Sequence, residues 1–339
     1  MASSSQASAS RTGSRFWLWG LGLLVVLAAL YSAGWYYATS VLKDQVLVAL
    51  GKQERAGMTG ECADMSLSGF PFSIGLSCSS VKIDDHDRGV SASFDRLSSH
   101  ARVFAPGDIT WSLQSPAEFR SAQGISVSAE WASLQSQLIA RGQGIEQGMA
   151  VIEGLKAAIV SSLDGRSINV KAARTEIHTR QAGADLQATI GIDNATVTVP
   201  ALPQPLPAVS ADADVVLTGK AALLAGEDQS GEGLRGTAGI VNHAVADIGE
   251  GRTLALTGPF SFDDQGYLSG QFKLKIDQLG PWRESLKTAI PAAARTIDFA
   301  GKLLRSLAGG GDSVSVDLTV NHGAVSLSGF IPLGNLPPI

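Results

Sequence analysis

Asp84, Asp85, His86 and Asp87 form the densest run of potential metal ligands in the chain. Carboxylates and imidazole suit a divalent cation, and in an envelope hydrolase the same groups would activate water. Convergence on one ion needs donors arriving from several directions. Four neighbours on a hairpin loop closed by Arg88-Gly89 do not supply that, so a turn without metal is expected. A hydrolase would also need Asp84, Asp85 or His86 to meet distant acids in a cleft. Ser40-Val-Leu-Lys43 has the Ser-x-x-Lys spacing in which a lysine activates a serine, but no Ser-Asp-Asn or Lys-Thr-Gly follows it. Gly231-x-Gly233-x-x-Gly236 has dinucleotide-fingerprint spacing, yet the polar run Glu227–Ser230 stands where a strand must precede it. His100, His178, His243 and His322 are isolated and are expected on solvated strand faces or turns. No catalytic residue is assigned, the chain is read as not an enzyme, and no cofactor is expected.

The two cysteines belong to a more definite pattern. Cys62 and Cys78 flank Gly69-Phe70-Pro71-Phe72, with alternating Met65 and Leu67 before and Phe72, Ile74 and Leu76 after. That alternation predicts two strands around a turn. Folding about position 70 places Cys62 opposite Cys78, where cross-strand Cβ atoms lie about 4.5–5.5 Å apart. A disulfide is expected if the compartment is oxidising, and two buried free thiols otherwise.

The same period-two alternation recurs at Ile125–Ala129, Leu186–Ile192, Val197–Val199, Val215–Leu217, Leu254–Leu256, Phe260–Phe262 and Phe272–Ile276. It closes with Val314–Val320, the turn Asn321-His322-Gly323, and Val325–Leu327, the Asn and Gly being expected to carry positive φ. Two helices are expected to interrupt the strands. Leu134–Ala158 has Leu134, Leu138, Ile145, Met149, Ile152 and Leu155 near helical spacing. Pro281–Leu307 has an apolar stripe at Leu286, Ile290, Ile297, Leu303, Leu304 and Leu307, ended by Gly309–Gly311. The predicted fold class is mainly β with a few helices (α+β): a large, curved, mostly antiparallel sheet with a covering C-terminal amphipathic helix and an N-terminal transmembrane helix. Pro200–Pro207 marks a crossover or boundary, dividing residues 59–200 from 208–339, while both parts are free to share one sheet.

Phe16–Tyr37 carries no charge and is long enough to cross a bilayer, with Phe16, Trp17 and Trp19 at one end and Trp35, Tyr36 and Tyr37 at the other. Arg11 and Arg15 precede it, so residues 1–15 are expected in the cytoplasm and the main domain in the periplasm. Cleavage after Tyr31-Ser32-Ala33 would put a bulky Tyr where a small residue is wanted, so the span is read as an uncleaved anchor in the inner membrane. Helical spacing continues over residues 38–58.

Composition agrees with this picture. Charged residues are 17% of the 339, glycines number 38, and the net charge is −5. A mildly acidic chain without a basic block has no footprint for nucleic acid. Few charges and many glycines fit strands whose polar positions are Ser, Thr, Gln and Ala, joined by tight turns.

The order of anchor, Cys62, Gly69-Phe70-Pro71-Phe72, Cys78, Val103-Phe104-Ala105-Pro106 and the tail Gly323–Gly334 resembles the family of domain of unknown function 2125, envelope proteins of alphaproteobacteria. Where members usually carry Arg after the motif, this chain has Ser73. The family has no assigned activity, so the resemblance implies location and fold. A looser similarity to AsmA-type envelope proteins implies a long sheet with an apolar concave side. The expected role is non-catalytic: holding a lipid or other hydrophobic ligand in an apolar β-groove, or assisting envelope assembly. The alternative is a scaffold for an envelope protein partner.

Overall fold

The computed structural model describes residues 13–54, 58–86, 89–142, 144–163, 165–200, 202, 206–225, 233–307, 311–329 and 331–339. Asp87 and Arg88, Gly231, Gly309 and Gly310, Phe330, the first twelve residues and part of Pro200–Pro207 lie outside the described residues.

The described residues open with one helix, α1 (Gly13–Glu54), joining the apolar span and the juxtamembrane segment without a break. Within it, Leu21–Val41 is long and apolar enough to cross a membrane. The rest is one open, antiparallel, up-and-down sheet. Its first five arms are each broken once: β1 (Met58–Ala63) with β2 (Ser66–Ser68), β3 (Ser73–Cys78) with β4 (Ser80–Asp85), β5 (Val90–Phe94) with β6 (Leu97–Arg102), β7 (Ala105–Leu113) with β8 (Ala117–Ser121), and β9 (Ile125–Glu130) with β10 (Ser133–Arg141). Longer arms follow: β11 (Gly144–Ser161), β12 (Ser167–Ala182) and β13 (Asp185–Thr198). Shorter ones complete it: β14 (Val209–Leu217), β15 (Ala238–Asp247), β16 (Thr253–Phe262), β17 (Leu268–Ile276), β18 (Val314–Asn321), β19 (Ala324–Leu327) and β20 (Ile331–Asn335). The ladder between β13 and β14 bridges the proline-rich segment, so both parts of the chain contribute to one sheet.

The breaks fall on one line. Asp64, Ser79, Asp95-Arg96, Gln114–Pro116, Trp131-Ala132 and Gly154 interrupt successive arms at the same level. β10 pairs with the first part of β11 and β9 with the last part, on either side of Gly154, whose φ is +64°. A residue dropped from the ladder reverses which face later side chains occupy. The sequence compensates at the same point: Leu76 and Cys78 precede Ser79, while Val81 and Ile83 follow it, so the apolar face continues across the crease. Hydrogen bonds pin it, Ser79 Oγ to Asp64 Oδ2 at 2.8 Å and Trp131 Nε1 to the Leu113 carbonyl at 2.8 Å.

This crease corrects the expected helix over Leu134–Ala158, which is the β10–β11 hairpin. The helix-like step of three from Ile152 to Leu155 arises because the skipped Gly154 lets both residues face the same way. The C-terminal helix is also corrected. It is two helices, α3 (Leu279–Ala289) and α4 (Ala294–Leu307), parted by a 3₁₀ turn at Pro291–Ala293. The ring of Pro291 disfavours helical backbone at Ile290, which has φ −128° and ψ 71°. Asp312 caps the first helix, accepting from the Gly280 amide at 2.9 Å. The core lies beneath this pair: Ile276, Leu279, Val314, Val316 and Leu327 are buried together, with Trp282, Leu303 and Leu304 packed on them. A short helix, α2 (Ala221–Ala225), packs on β11–β13.

Candidate functional site

Following one register line across the sheet gives Leu67, Leu76, Ser99, Trp111, Ser136, Ala150, Ile177, Ile190, Ala213, Ala244, Leu256, Leu274 and Val316. Thirteen successive arms contribute one residue each and none is charged. At 4.7–4.9 Å per strand the row runs roughly 55–60 Å. The neighbouring line on the other face begins Ser66, Ser77, Ser98, Ser112 and Gln135, with Ser98 and Ser112 hydroxyls 2.8 Å apart. The sheet therefore has one apolar and one polar side along its whole width.

Cover over the apolar side is uneven. Under α3 and α4, Val314 and Leu327 are each only 3% exposed. In the middle, Ile168, Ile177 and Ile190 remain 37%, 36% and 41% exposed. Ile177 and Ile190, in register on adjoining strands, with Ile168 further along β12, mark the part of the face that a ligand can reach.

The polar side holds most of the titratable groups. Arg174 lies between Glu153 and Glu176 and donates to both. Those bonds, with Glu176 first, hold the guanidinium pKa above its ordinary value and that of Glu176 below. A hollow of about 400 Å³ beside them is lined by Ser133, Gln135, Gln137, Glu153 and Arg174 among others. A hollow of about 540 Å³ at Phe260, Gln271 and Thr319 contains no titratable side chain.

The residues singled out from sequence fall as follows. Cys62 and Cys78 are joined in a disulfide with Cα atoms 5.3 Å apart. Their expected register is corrected: Ser66 stands opposite Ser77, Cys62 opposite Val81 and Cys78 opposite Leu97. The tip is a four-residue loop closed by the Ser73 amide on the Gly69 carbonyl at 2.9 Å, which displaces the ladder by three residues. The two cysteines meet diagonally across the crease instead of face to face.

Gly69, Phe70, Pro71 and Phe72 form that tip, and it docks on α1. Gly69 has φ +104°, and a Cβ there would lie 2.7 Å from the Ser73 carbonyl oxygen, so the turn requires glycine. Trp35 packs edge-on against Phe70 at 5.3 Å and donates from Nε1 to the Ser73 carbonyl at 3.0 Å. The Tyr31 hydroxyl donates to the Pro71 carbonyl.

A family model described as "Uncharacterized protein conserved in bacteria (DUF2125)" matches residues 35–337, from Trp35 through almost the whole sheet. The chain belongs to this family. No curated protein shows significant similarity to it, and the AsmA-type similarity is not shown. In this DUF2125 member Asp84 and Asp85 point to opposite sides of β4, as strand alternation dictates, with Asp85 buried and Asp84 exposed. His86 Nδ1 lies 3.8 Å from Asp84 Oδ1, both side chains largely in solvent. No group of three metal-ligating side chains forms among the described residues. Ser40 bonds back to the Tyr37 carbonyl on the helix at 2.8 Å. His243 and His322 each face one carboxylate, Asp212 at 3.3 Å and Asp263 at 2.8 Å. In the last hairpin His322 and Gly323, at φ 47° and 80°, take the turn that Asn321 was expected to share.

Sequence reading found the disulfide and the tip but missed the tip's contact with α1. The available signal was that Phe70 and Phe72 are apolar where a loop is usually polar.

Proposed function

We propose that the chain is a non-catalytic protein anchored in the bacterial inner membrane by α1, with its sheet in the periplasm, where the apolar face holds a lipid-like ligand. The uncharged row across thirteen arms, left open at Ile177 and Ile190, carries this reading. An acyl chain is matched by a long uncharged strip of mostly aliphatic side chains, whose two serines already donate to the Leu76 and Met149 carbonyls. The disulfide supports an oxidising compartment for the sheet, and the arginines before the span support a cytoplasmic N-terminus. The alternative use of the same face is docking an envelope protein in a scaffold.

Photo-crosslinking separates the two. A photoreactive amino acid placed at Ile190 in the full-length protein in cells should yield a mass increment of one lipid, lost on adding Ile177→Ser. A reproducible adduct of a single protein and no lipid would replace the lipid reading with the scaffold.

A further inference from the structure

We infer that the hairpin tip Gly69–Phe72, together with the adjoining turn at Phe104, is a second membrane contact: a foot that sits in the bilayer interface beside the anchor. The inference rests on reading α1 as a membrane span. Its partners on α1 lie inside the apolar span Leu21–Val41. Tyr31 is six residues before Tyr37, the aromatic end of the uncharged run Phe16–Tyr37, roughly 9 Å along the axis at 1.5 Å per residue. A loop bonded at that level is carried into the headgroup region or below it.

The loop is built for such a place. In an apolar medium each unpartnered backbone carbonyl costs free energy. Here the carbonyl of Gly69 accepts from the Ser73 amide at 2.9 Å, and that of Pro71 from the Tyr31 hydroxyl. The carbonyl of Phe72 accepts from the Val103 amide at 3.0 Å, and that of Ser73 from Trp35 Nε1 at 3.0 Å. Pro71 has no amide hydrogen to satisfy. The Val103 bond ties the two turns together, and the segments 69–73 and 103–106 contain no charge. Phe72 and Phe104 point outward, 69% and 81% exposed, an expensive arrangement in water and a favourable one at a lipid surface. The uncharged row starts at Leu67 and Leu76, on the strands leading into this tip, so the foot places the head of the row next to the bilayer.

Fluorescence quenching in proteoliposomes tests this with the full-length protein. Both native cysteines are in the disulfide, so one introduced cysteine is the sole free thiol for a bimane label. The variants are Phe72→Cys, Phe104→Cys, Leu163→Cys at a turn on the opposite end of the meander, and Leu27→Cys in the span. Vesicles of phosphatidylcholine and phosphatidylglycerol carry nitroxide lipids, labelled near the headgroup or at mid-chain. The expected result is that headgroup-level nitroxide quenches positions 72 and 104 several-fold more than 163, while position 27 is quenched from mid-chain. If 27 is quenched but 72 and 104 behave like 163, the foot is refuted and the anchor stands. If 27 is not quenched either, the anchor reading fails and takes the foot with it.

Discussion

The C-terminal end of the apolar row and its middle share a pattern and differ in cover. At β17–β19, Ile276, Val314, Val316 and Leu327 alternate with polar residues and vanish beneath α3 and α4. At β12–β13, Ile177 and Ile190 alternate in the same way and stay about two-fifths open. Alternation therefore fixes which side chains share a face, and a helix elsewhere in the chain decides whether that face becomes core or surface. The covered end contributes stability through burial. The open middle retains apolar area that only another molecule can remove from water.

The largest expected effect separates these two regions directly. Leu327→Ala, which empties space in the buried core, should destabilise by about 2–5 kcal/mol. Ile190→Ala, on a side chain already wet, should cost about 1 kcal/mol or less. Denaturant unfolding of the full chain in detergent, followed by circular dichroism, measures both. Equal losses would mean that the middle of the sheet is as well covered as the end.

Next comes the crease. Reducing Cys62–Cys78, sixteen residues apart, should cost about 3 kcal/mol. Because the bond spans β1 and β3 on opposite sides of the break, hydrogen exchange should rise first at Ala63–Ser66 and Ser79 and leave β17–β19 protected. Uniform loss of protection would show that the arms unfold with the core.

The smallest effect is electrostatic. Asp277, beside the covered core, is held below the ordinary carboxylate pKa first by Lys275, 2.9 Å away, and also by the Ser313 and Thr253 hydroxyls. A lowered folded pKa means that its contribution is complete above the unfolded value near 3.9 and is lost as pH falls through the folded value. Glu176, on the open middle of the sheet, is lowered by Arg174 and follows the same sign. Both side chains keep contact with solvent, so screening keeps the effects small. Thermal melts from pH 6 down to 3 should fall less steeply for Asp277→Asn than for the native chain. A parallel course for the two would remove Asp277 from the account.

Much of the fold was legible because a strand's side-chain period is local. Val314–Val320 and Phe272–Ile276 each show their buried face without reference to the rest of the chain. The failures occurred where one residue changes the count. Gly154 converts a strand's step of two into a step of three and imitates a helix, and Pro291 splits an otherwise continuous apolar stripe. The candidate face was legible only in pieces, since each strand shows two or three apolar residues and the row exists across thirteen arms.

By itself the sequence determined the apolar helix of membrane-spanning length, the alternating strands, the nearness of Cys62 to Cys78 and the scarcity of charge on one face. These are properties of short segments and composition, set by bilayer thickness, backbone pleat and the cost of burying charge. Only the tertiary structure decided the three-residue register displacement, the straight crease, the helices that cover one end, and the docking of Phe70 on Trp35. Each of those depends on residues far apart in the chain meeting in one place, and no local period encodes that meeting.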